Sequence, residues 1–531
     1  MSDIQFSFVF PIPSKTVYTT DKLEKMFFSV LNQNTPPQHI FLLDGSPDNL
    51  LGDRLFHLAE TKNIFCEIVP AQSQFLSAFA FTLSKIQTKH FIFTDNEKSP
   101  VYFNKSASDL YRWVCLRNPQ TGLFYSDYDR ISPDGSRVEV HLLPFHKSRV
   151  RDNMDFGNVF VIDTAMAREV GGFSSIFPRG YLYDFRLKIA TDHDFLLISN
   201  RFQGVPYSVE DLGKAHNVFD YLLSGKDVQL EMEQIITDHL KRIQAYLPPG
   251  NCRHEITYSP EEEKQFEECI ASVIIPVNNR PQFIGTAIES VLQQTVEQVE
   301  VIVVINGGED DPTIDVVKTY QRGGEKFNPD LAPVRLLVHD INNIGLCLNS
   351  GLKTARGKFY VQLDSDDRLK PDAVEKLLQV FKSDPHIGMV IGSYEVWQLE
   401  EDGKFFRRED IPVVTHDEWT EENGRNNLLR INGAGAPRSA HIKVLAEMGW
   451  FSVNDIPYSR NYGEDYEMVL KISERYRIGR VWQPIYEVVR HSGGTDHSID
   501  RQTIDRNDNA KDEMRREAIL RRQTLNSKKI S

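Results

Sequence analysis

The chain repeats itself, and this constrains its fold more than any other feature. The first half runs Ser7-Phe-Val-Phe-Pro11, Ser29-Val-Leu-Asn-Gln33 and Phe41-Leu-Leu-Asp-Gly45. The second half runs Ser272-Val-Ile-Ile-Pro276, Ser290-Val-Leu-Gln-Gln294 and Val303-Val-Ile-Asn-Gly307, in the same order at nearly the same spacing. Further on, Lys89-His-Phe-Ile-Phe-Thr-Asp95 parallels Lys358-Phe-Tyr-Val-Gln-Leu-Asp364, and Val170-Gly-Gly-Phe173 parallels Met448-Gly-Trp-Phe451. The period is far too long for a solenoid, so the repeat predicts duplicated domains.

Each copy opens on a β-branched or aromatic run, continues through a helical stretch and returns to an apolar strand. Alternation of this kind predicts an α/β fold with a mostly parallel, Rossmann-like sheet. Ligands of such sheets bind at the carboxyl ends of the strands, which would gather Asn306, Asp364 and Asp366 around one crevice. A length of 531 residues also exceeds one ordinary core. The apolar spacing over Val228 to Tyr246 predicts a helix, stopped at Pro248-Pro249-Gly250. The expected organisation is a first domain at 1–225, a helical linker at 226–270 with the boundary near 255, a second domain at 271–500, and a polar helical tail at 501–531.

A net charge of −14 does not favour nonspecific nucleic-acid binding. The start lacks the basic and apolar regions of a signal peptide, and no apolar run is long enough to cross a bilayer. The five cysteines are scattered, which gives neither a disulfide framework nor a zinc pattern. A cytoplasmic location is the default expectation. The tail carries Arg515, Arg516, Arg521, Arg522, Lys528 and Lys529, which read as a solvated face or as a peripheral contact with an anionic membrane.

Phe359 to Leu363 ends in three acids, Asp364, Asp366 and Asp367, with Ser365 between them. Carboxylates crowded at a strand end repel each other unless a cation sits among them, and hard oxygen ligands suit Mg2+ or Mn2+. An Asp-rich solvated turn is the alternative reading.

Five ordered blocks then identify a family: Ser272 to Arg280, Val301 to Gly308, Asn343 to Gly351, Leu363 to Asp367, and Gly463 to Glu467 with His491 beyond. Together they resemble the inverting nucleotide-sugar glycosyltransferases of family 2, which have the GT-A fold. The resemblance implies two tandem GT-A domains, a nucleotide-sugar donor (UDP-sugar favoured) and an acceptor hydroxyl on a carbohydrate or other molecule. It implies Asp465 as the catalytic base beside Glu464, and a divalent metal, Mn2+ or Mg2+, held by Asp366 and His491. Pro276, Asn278, Arg280, Asn306, Asn343, Gly345, Asn349, Asp364, Ser365 and Asp366 would line the donor site. Asn306 departs from the family, which usually has an aspartate there. Helix-start acids such as Glu464 and Asp465 also favour a helix dipole without any catalysis. The Gly-rich stretch Asn432 to Ala436 reads as a close-approach loop or a plain turn, and Trp419, Trp450 and Trp482 as sugar platforms or core.

The first copy offers Asp44, Asp95, Glu97, Asp192 and His216 as counterparts, with Asp192 matched to Asp465 and His216 to His491. It replaces Asn343, Gly345 and Asn349 by Gln74, Leu76 and Ala80. The expectation is therefore that the second copy carries the chemistry and the first is degenerate or binds acceptor. The rivals are a bifunctional tandem transferase building a polysaccharide and a carbohydrate-binding scaffold with a dead transferase fold.

Overall fold

The computed structural model describes residues 4–14, 18–47, 50–72, 74–200, 202–211, 225–251, 254–415, 423–431, 433, 435–455, 463–492 and 501–528. His216, Trp419, Asn432, Ala434 and Lys529 lie outside them. The chain divides into two compact units, Met1–Ile243 and Gln244–Ser531.

The first unit contains β1 (Phe6–Ile12), β2 (His39–Asp44), β3 (Cys66–Pro70), β4 (His90–Thr94), β5 (Val101–Phe103), β6 (Leu123–Ser126), β7 (Tyr128–Ile131), β8 (Arg137–Val140), β9 (Val159–Asp163), β10 (Phe195–Ile198) and β11 (Tyr207–Glu210). The second contains β12 (Ala271–Val277), β13 (Val299–Ile305), β14 (Val334–Val338), β15 (Phe359–Gln362), β16 (Arg368–Leu369), β17 (Ile387–Leu399), β18 (Phe405–Arg407), β19 (Arg438–His441) and β20 (Arg477–Arg490). The main sheet of the first unit runs β3-β2-β1-β4-β9-β6-β10. That of the second runs β14-β13-β12-β15-β19-β17-β20, then β16.

The two orders are one order. In each unit three neighbouring pairs are parallel, the inserted strand (β9 or β19) is antiparallel to both neighbours, and the last pair is parallel again. Strands β1 and β13 are buried along their whole length, as strands of a sheet covered on both faces are. Both units are α/β domains with the same sheet order, as the repeat predicts.

The duplication extends to helices that the sequence pattern did not pair. Lys226–Arg242, expected in a linker, belongs to the first unit, where it buries Ile235, Ile236 and Leu240. Its Ile235 lies so near Gly180 that a Cβ there would meet Ile235 Cδ1 at 2.4 Å. The tail helix Arg501–Ser527 does the same in the second unit, with Met514 Cε 2.8 Å from the Cβ position of Gly463. The tail is therefore not the solvated face expected of it. Arg515 and Arg522 are fully buried, donating to the carbonyls of Leu429 and Ile431 and of Arg425 respectively. Arg521 pairs with Glu474 at 2.9 Å. A polar average hid an amphipathic helix whose buried face uses arginines bonded to carbonyls. Among the described residues, no helix is long and apolar enough to cross a membrane.

Candidate active site

In the second unit, β15 ends where the acids begin. Asp364 N donates to Tyr486 Oη on β20 (3.1 Å), and Gln362 Nε2 donates to Asp364 Oδ1 (3.3 Å). Burial pushes the Asp364 carboxyl up, Arg438 opposes this, and Asp366 adds to it. Asp366 meets His491, which follows β20, with Nε2 3.1 Å from Oδ2. The imidazole is buried and packs on the Phe283 ring at 4.2 Å. Asp367 is turned inward and accepts from Val489 N at 2.8 Å. Burial and the neighbouring Asp364 and Asp366 hold its carboxyl well above the ordinary range. Among the described residues, no three potential ligands already stand as a metal cage. The donor set nonetheless fits a divalent cation: a carboxylate and an imidazole in contact, beside a second buried carboxyl that like charge disfavours.

The second cluster forms at the start of the helix Glu464–Ser473. Gly463 makes the turn with φ 86°, a left-handed conformation that glycine adopts without strain. Glu464 and Asp465 follow and diverge. Burial, then the Asp465 charge, pushes Glu464 up to about 8. Burial acts on Asp465 too, but Arg438 and Lys511 outweigh it and hold Asp465 below the usual range. Arg438, from β19, forms an ion pair with Asp465 and also faces Asp364 and Glu464. The two neighbouring carboxyls are thus pushed in opposite directions, Glu464 toward its protonated form and Asp465 toward its ionised form. Sequence reasoning missed Arg438 and Lys511. Neither lies in a recognised block, and only folding brings β19 and the tail helix to this helix start.

The donor-side residues divide. Asn306 closes β13 and donates through Nδ2 to Asn342 Oδ1 at 3.1 Å. Pro276 lies in β12, Asn278 is exposed in the turn that follows, and Arg280 N donates to Thr313 Oγ1 at 2.9 Å. Ser365 is buried between Asp364 and Asp366. Asn343, Gly345 and Asn349 have a different local task. Asn343 caps the helix Ile344–Thr354 through Leu346 N (2.9 Å) and donates to Val453 O (3.0 Å). Asn349 exchanges two hydrogen bonds with the Phe451 backbone, at 2.8 and 3.0 Å. A Cβ on Gly345 would stand 1.8 Å from Ser452 O. The three residues clamp the helix to the segment 451–453, which engages both polar ends of Asn349 and the amide nitrogen of Asn343, while Asn343 Oδ1 caps its own helix.

That segment follows an unusual helix end. Gly449 and Trp450 both have positive φ, 90° and 68°, and Trp450 N donates to Leu445 O at 3.0 Å. A bulky residue in this conformation costs roughly 1–3 kcal/mol.

A family model described as Glycosyl transferase family 2 matches residues 272–437. A Rickettsia felis protein described as an uncharacterized glycosyltransferase is 31% identical over 449 residues, covering 80% of this chain and 70% of its own length. The chain belongs to glycosyltransferase family 2. Chondroitin synthases of Escherichia coli and Pasteurella multocida are 25% and 28% identical over 227 residues, 43% of this chain. The match spans 30% and 21% of those two proteins' lengths. Among solved structures, S. aureus TarS with UDP-GlcNAc has TM-score 0.32 and 18% identity, covering 43% of this chain and 62% of that one. The mannosyltransferase PcManGT from Pyrobaculum calidifontis, with GDP-Man and Mn2+, has TM-score 0.33 and 15% identity, covering 57% and 84%.

The first unit of this glycosyltransferase corrects one residue match. Asp192 is the last residue of the helix Tyr181–Asp192 and is exposed, whereas Asp465 stands in the first turn of its helix. The helices align instead as Gly180-Tyr-Leu-Tyr-Asp184 on Gly463-Glu-Asp-Tyr-Glu467. Tyr183 and Tyr466 each donate their hydroxyl to a backbone carbonyl, of Val150 and Leu428. Asp184–Lys188 and Glu467–Lys471 repeat one ion pair, at 2.6 and 2.5 Å. Tyr181 and Leu182 therefore occupy the places of Glu464 and Asp465. Asp44 is fully buried, accepting from Ser46 N (2.8 Å), Ser46 Oγ (2.6 Å) and Gly52 N (3.0 Å), so its carboxylate is spent within its own loop. Burial raises Asp95, with Lys98 opposing, while Glu97 is exposed.

Proposed function

We propose that the second unit transfers a sugar, with inversion, from a nucleotide diphosphate donor, UDP-sugar favoured, to an acceptor hydroxyl. One observation carries the reading: Arg438 pairs with Asp465 in the first turn of the helix Glu464–Ser473 and also faces Glu464 and Asp364, so that Asp465 is held low while burial pushes Glu464 up. Asp465, ionised, takes the acceptor proton as the hydroxyl oxygen attacks the anomeric carbon. The bond from that carbon to the diphosphate oxygen breaks, and its electron pair leaves with the diphosphate. Glu464 stays protonated at neutral pH and adds no charge beside the base. Arg438 orients Asp465 and keeps it ionised before the acceptor arrives. Asp366 and His491 would hold the divalent cation, Mn2+ or Mg2+, with Asp364 beside it. When bound, that ion would neutralise the departing diphosphate. The chondroitin synthase relatives favour a glycan as acceptor.

The first unit is read as a non-transferring copy, because Tyr181 and Leu182 supply no carboxylate where Glu464 and Asp465 stand, and burial raises the Tyr181 phenol well above its usual value. A thermal-shift screen of nucleotide sugars with Mn2+ tests the donor assignment. A donor at 100 times its Kd contributes about 2.7 kcal/mol, a rise of several degrees in Tm. Loss of that rise in the Asp366→Ala variant supports the metal site. If no nucleotide sugar shifts the melting temperature and none is turned over, the assignment is wrong.

A further inference from the structure

The two units end one helix in the same way and spend the last position differently. In the first unit, Gly171 and Gly172 take positive φ, 80° and 65°, and Gly172 N donates to Ala167 O at 2.9 Å. In the second, the same turn holds Gly449 and Trp450. Glycine fits this backbone without cost, and tryptophan does not. Burial does not explain the exchange, since Trp450 remains 36% exposed. Residues held in such conformations cluster where they serve binding or catalysis.

Trp450 lines a cleft of about 460 Å³, together with Lys353, Ser452, Asp455, Glu467 and Lys471. Glu467 and Lys471 stand on the helix whose first turn carries Asp465. The floor is rigid, because Asn349 is bonded to the Phe451 backbone. A part-exposed indole lining a cleft with ammonium and carboxylate groups suits a pyranose ring. The apolar C–H face of the sugar covers the aromatic ring, and its hydroxyls reach the charged rim.

We propose that this cleft is a subsite for a pyranose unit of the acceptor glycan, stacked on Trp450, which rests on the transferase reading above. The strained turn presents the indole, and the shared helix fixes the subsite relative to the base.

The Trp450→Gly variant restores the glycine pair of the first unit, so it relieves strain while removing the platform. We expect its melting temperature to equal or exceed that of the wild type. Binding is measured with a panel of neutral, N-acetylated and uronate-containing hexasaccharides. At least one should bind the wild type and lose tenfold or more in the variant, with Trp450→Phe recovering part of the loss. The proposal is overturned if no hexasaccharide binds the wild type, or if Trp450→Gly binds as tightly as the wild type. It is also overturned if that variant melts well below the wild type, which would make Trp450 a packing residue. Donor binding, read as the nucleotide-sugar shift with Mn2+, separates the two claims. If it persists while glycan binding ignores Trp450, only the subsite fails. If it is absent from the wild type, the transferase assignment fails.

Discussion

The two units share one sheet order, one helix ending and one glycine-started helix, yet only the second has carboxyls at the first two positions of that helix. What they share is what packing requires. The hydroxyls of Tyr183 and Tyr466 satisfy carbonyls, one ion pair recurs at the same helical spacing, and a long helix lies against Gly180 or Gly463. What differs can change without disturbing those contacts. Tyr181 and Leu182 fill the places of Glu464 and Asp465, and where Asn349 bonds the Phe451 backbone in the second unit, Phe79 stacks on Phe173 in the first. The fold is thus present twice, whereas the Glu464–Asp465 pair at the helix start is present once.

The largest expected effect breaks the chemistry of the second unit alone. Asp465→Asn keeps the shape of the helix start and removes the base. Transfer should fall by about 10²- to 10⁴-fold, measured as kcat with a glycan acceptor, while the donor-induced rise in Tm persists. A variant with full kcat would remove Asp465 from the mechanism and the main distinction between the units.

The packing layer is tested next. Phe79 is fully buried and stacks on Phe173 at 3.7 Å, holding in the first unit the contact that Asn349 holds in the second by hydrogen bonds. Phe79→Ala should cost about 3–5 kcal/mol in the transition of the first unit. Asn349→Ala should cost about 1–3 kcal/mol in that of the second, through backbone groups left without partners. Chemical denaturation of the full chain reads both. A Phe79 variant that loses less than the Asn349 variant would contradict the view that aromatic packing took over the clamp.

Arg438 sharpens the comparison through pH. Asp465 lies below the usual carboxylate range because Arg438 and Lys511 outweigh burial. In Arg438→Ala, burial dominates and the Asp465 value rises. The acid limb of kcat/KM should move up by about 1–3 pH units. The stability that Asp465 contributes is present above its unfolded pKa and lost as pH falls through its folded one, so the variant should lose its advantage at a higher pH. Glu464 has the opposite sign. Its raised value favours folding below the ordinary glutamate range, and this is lost as pH rises toward about 8. Glu464→Gln should therefore melt above the wild type in alkaline buffer and gain less in acid. Limbs that do not move would show that the charges around Arg438 do not govern the site.

Much of this was legible in the sequence. The apolar runs at Phe6 and Ala271 announced the central strands, and the acids after Leu363 announced the end of β15. Asp364, Asp366, Glu464 and Asp465 stand out as candidates because they sit in short contiguous motifs. Arg438 and Lys511 were not, since their importance comes from β19 and the tail helix meeting one helix start, which no local spacing encodes. The tail misled because its mean polarity concealed buried arginines that use backbone carbonyls as partners. Asp192 misled for a simpler reason. Matching acids by roughly constant offset ignored a ten-residue slip, whereas the Gly-x-x-Tyr-acid pattern shared by 180–184 and 463–467 carried the true register.

The smallest expected effect is therefore none. Asp192 is exposed at the carboxyl end of its helix, where the dipole disfavours a negative charge. Asp192→Asn should leave product formation unchanged and the melting temperature equal or slightly higher. The result is informative because the rival account, two active copies, needs an acid in the first unit to act as base, and Asp192 was the residue that sequence spacing offered. A large loss of transfer in this variant would give the first unit a catalytic role that its helix start does not explain. Unchanged transfer, set beside the collapse expected for Asp465→Asn, would leave one fold present twice and one reaction centre.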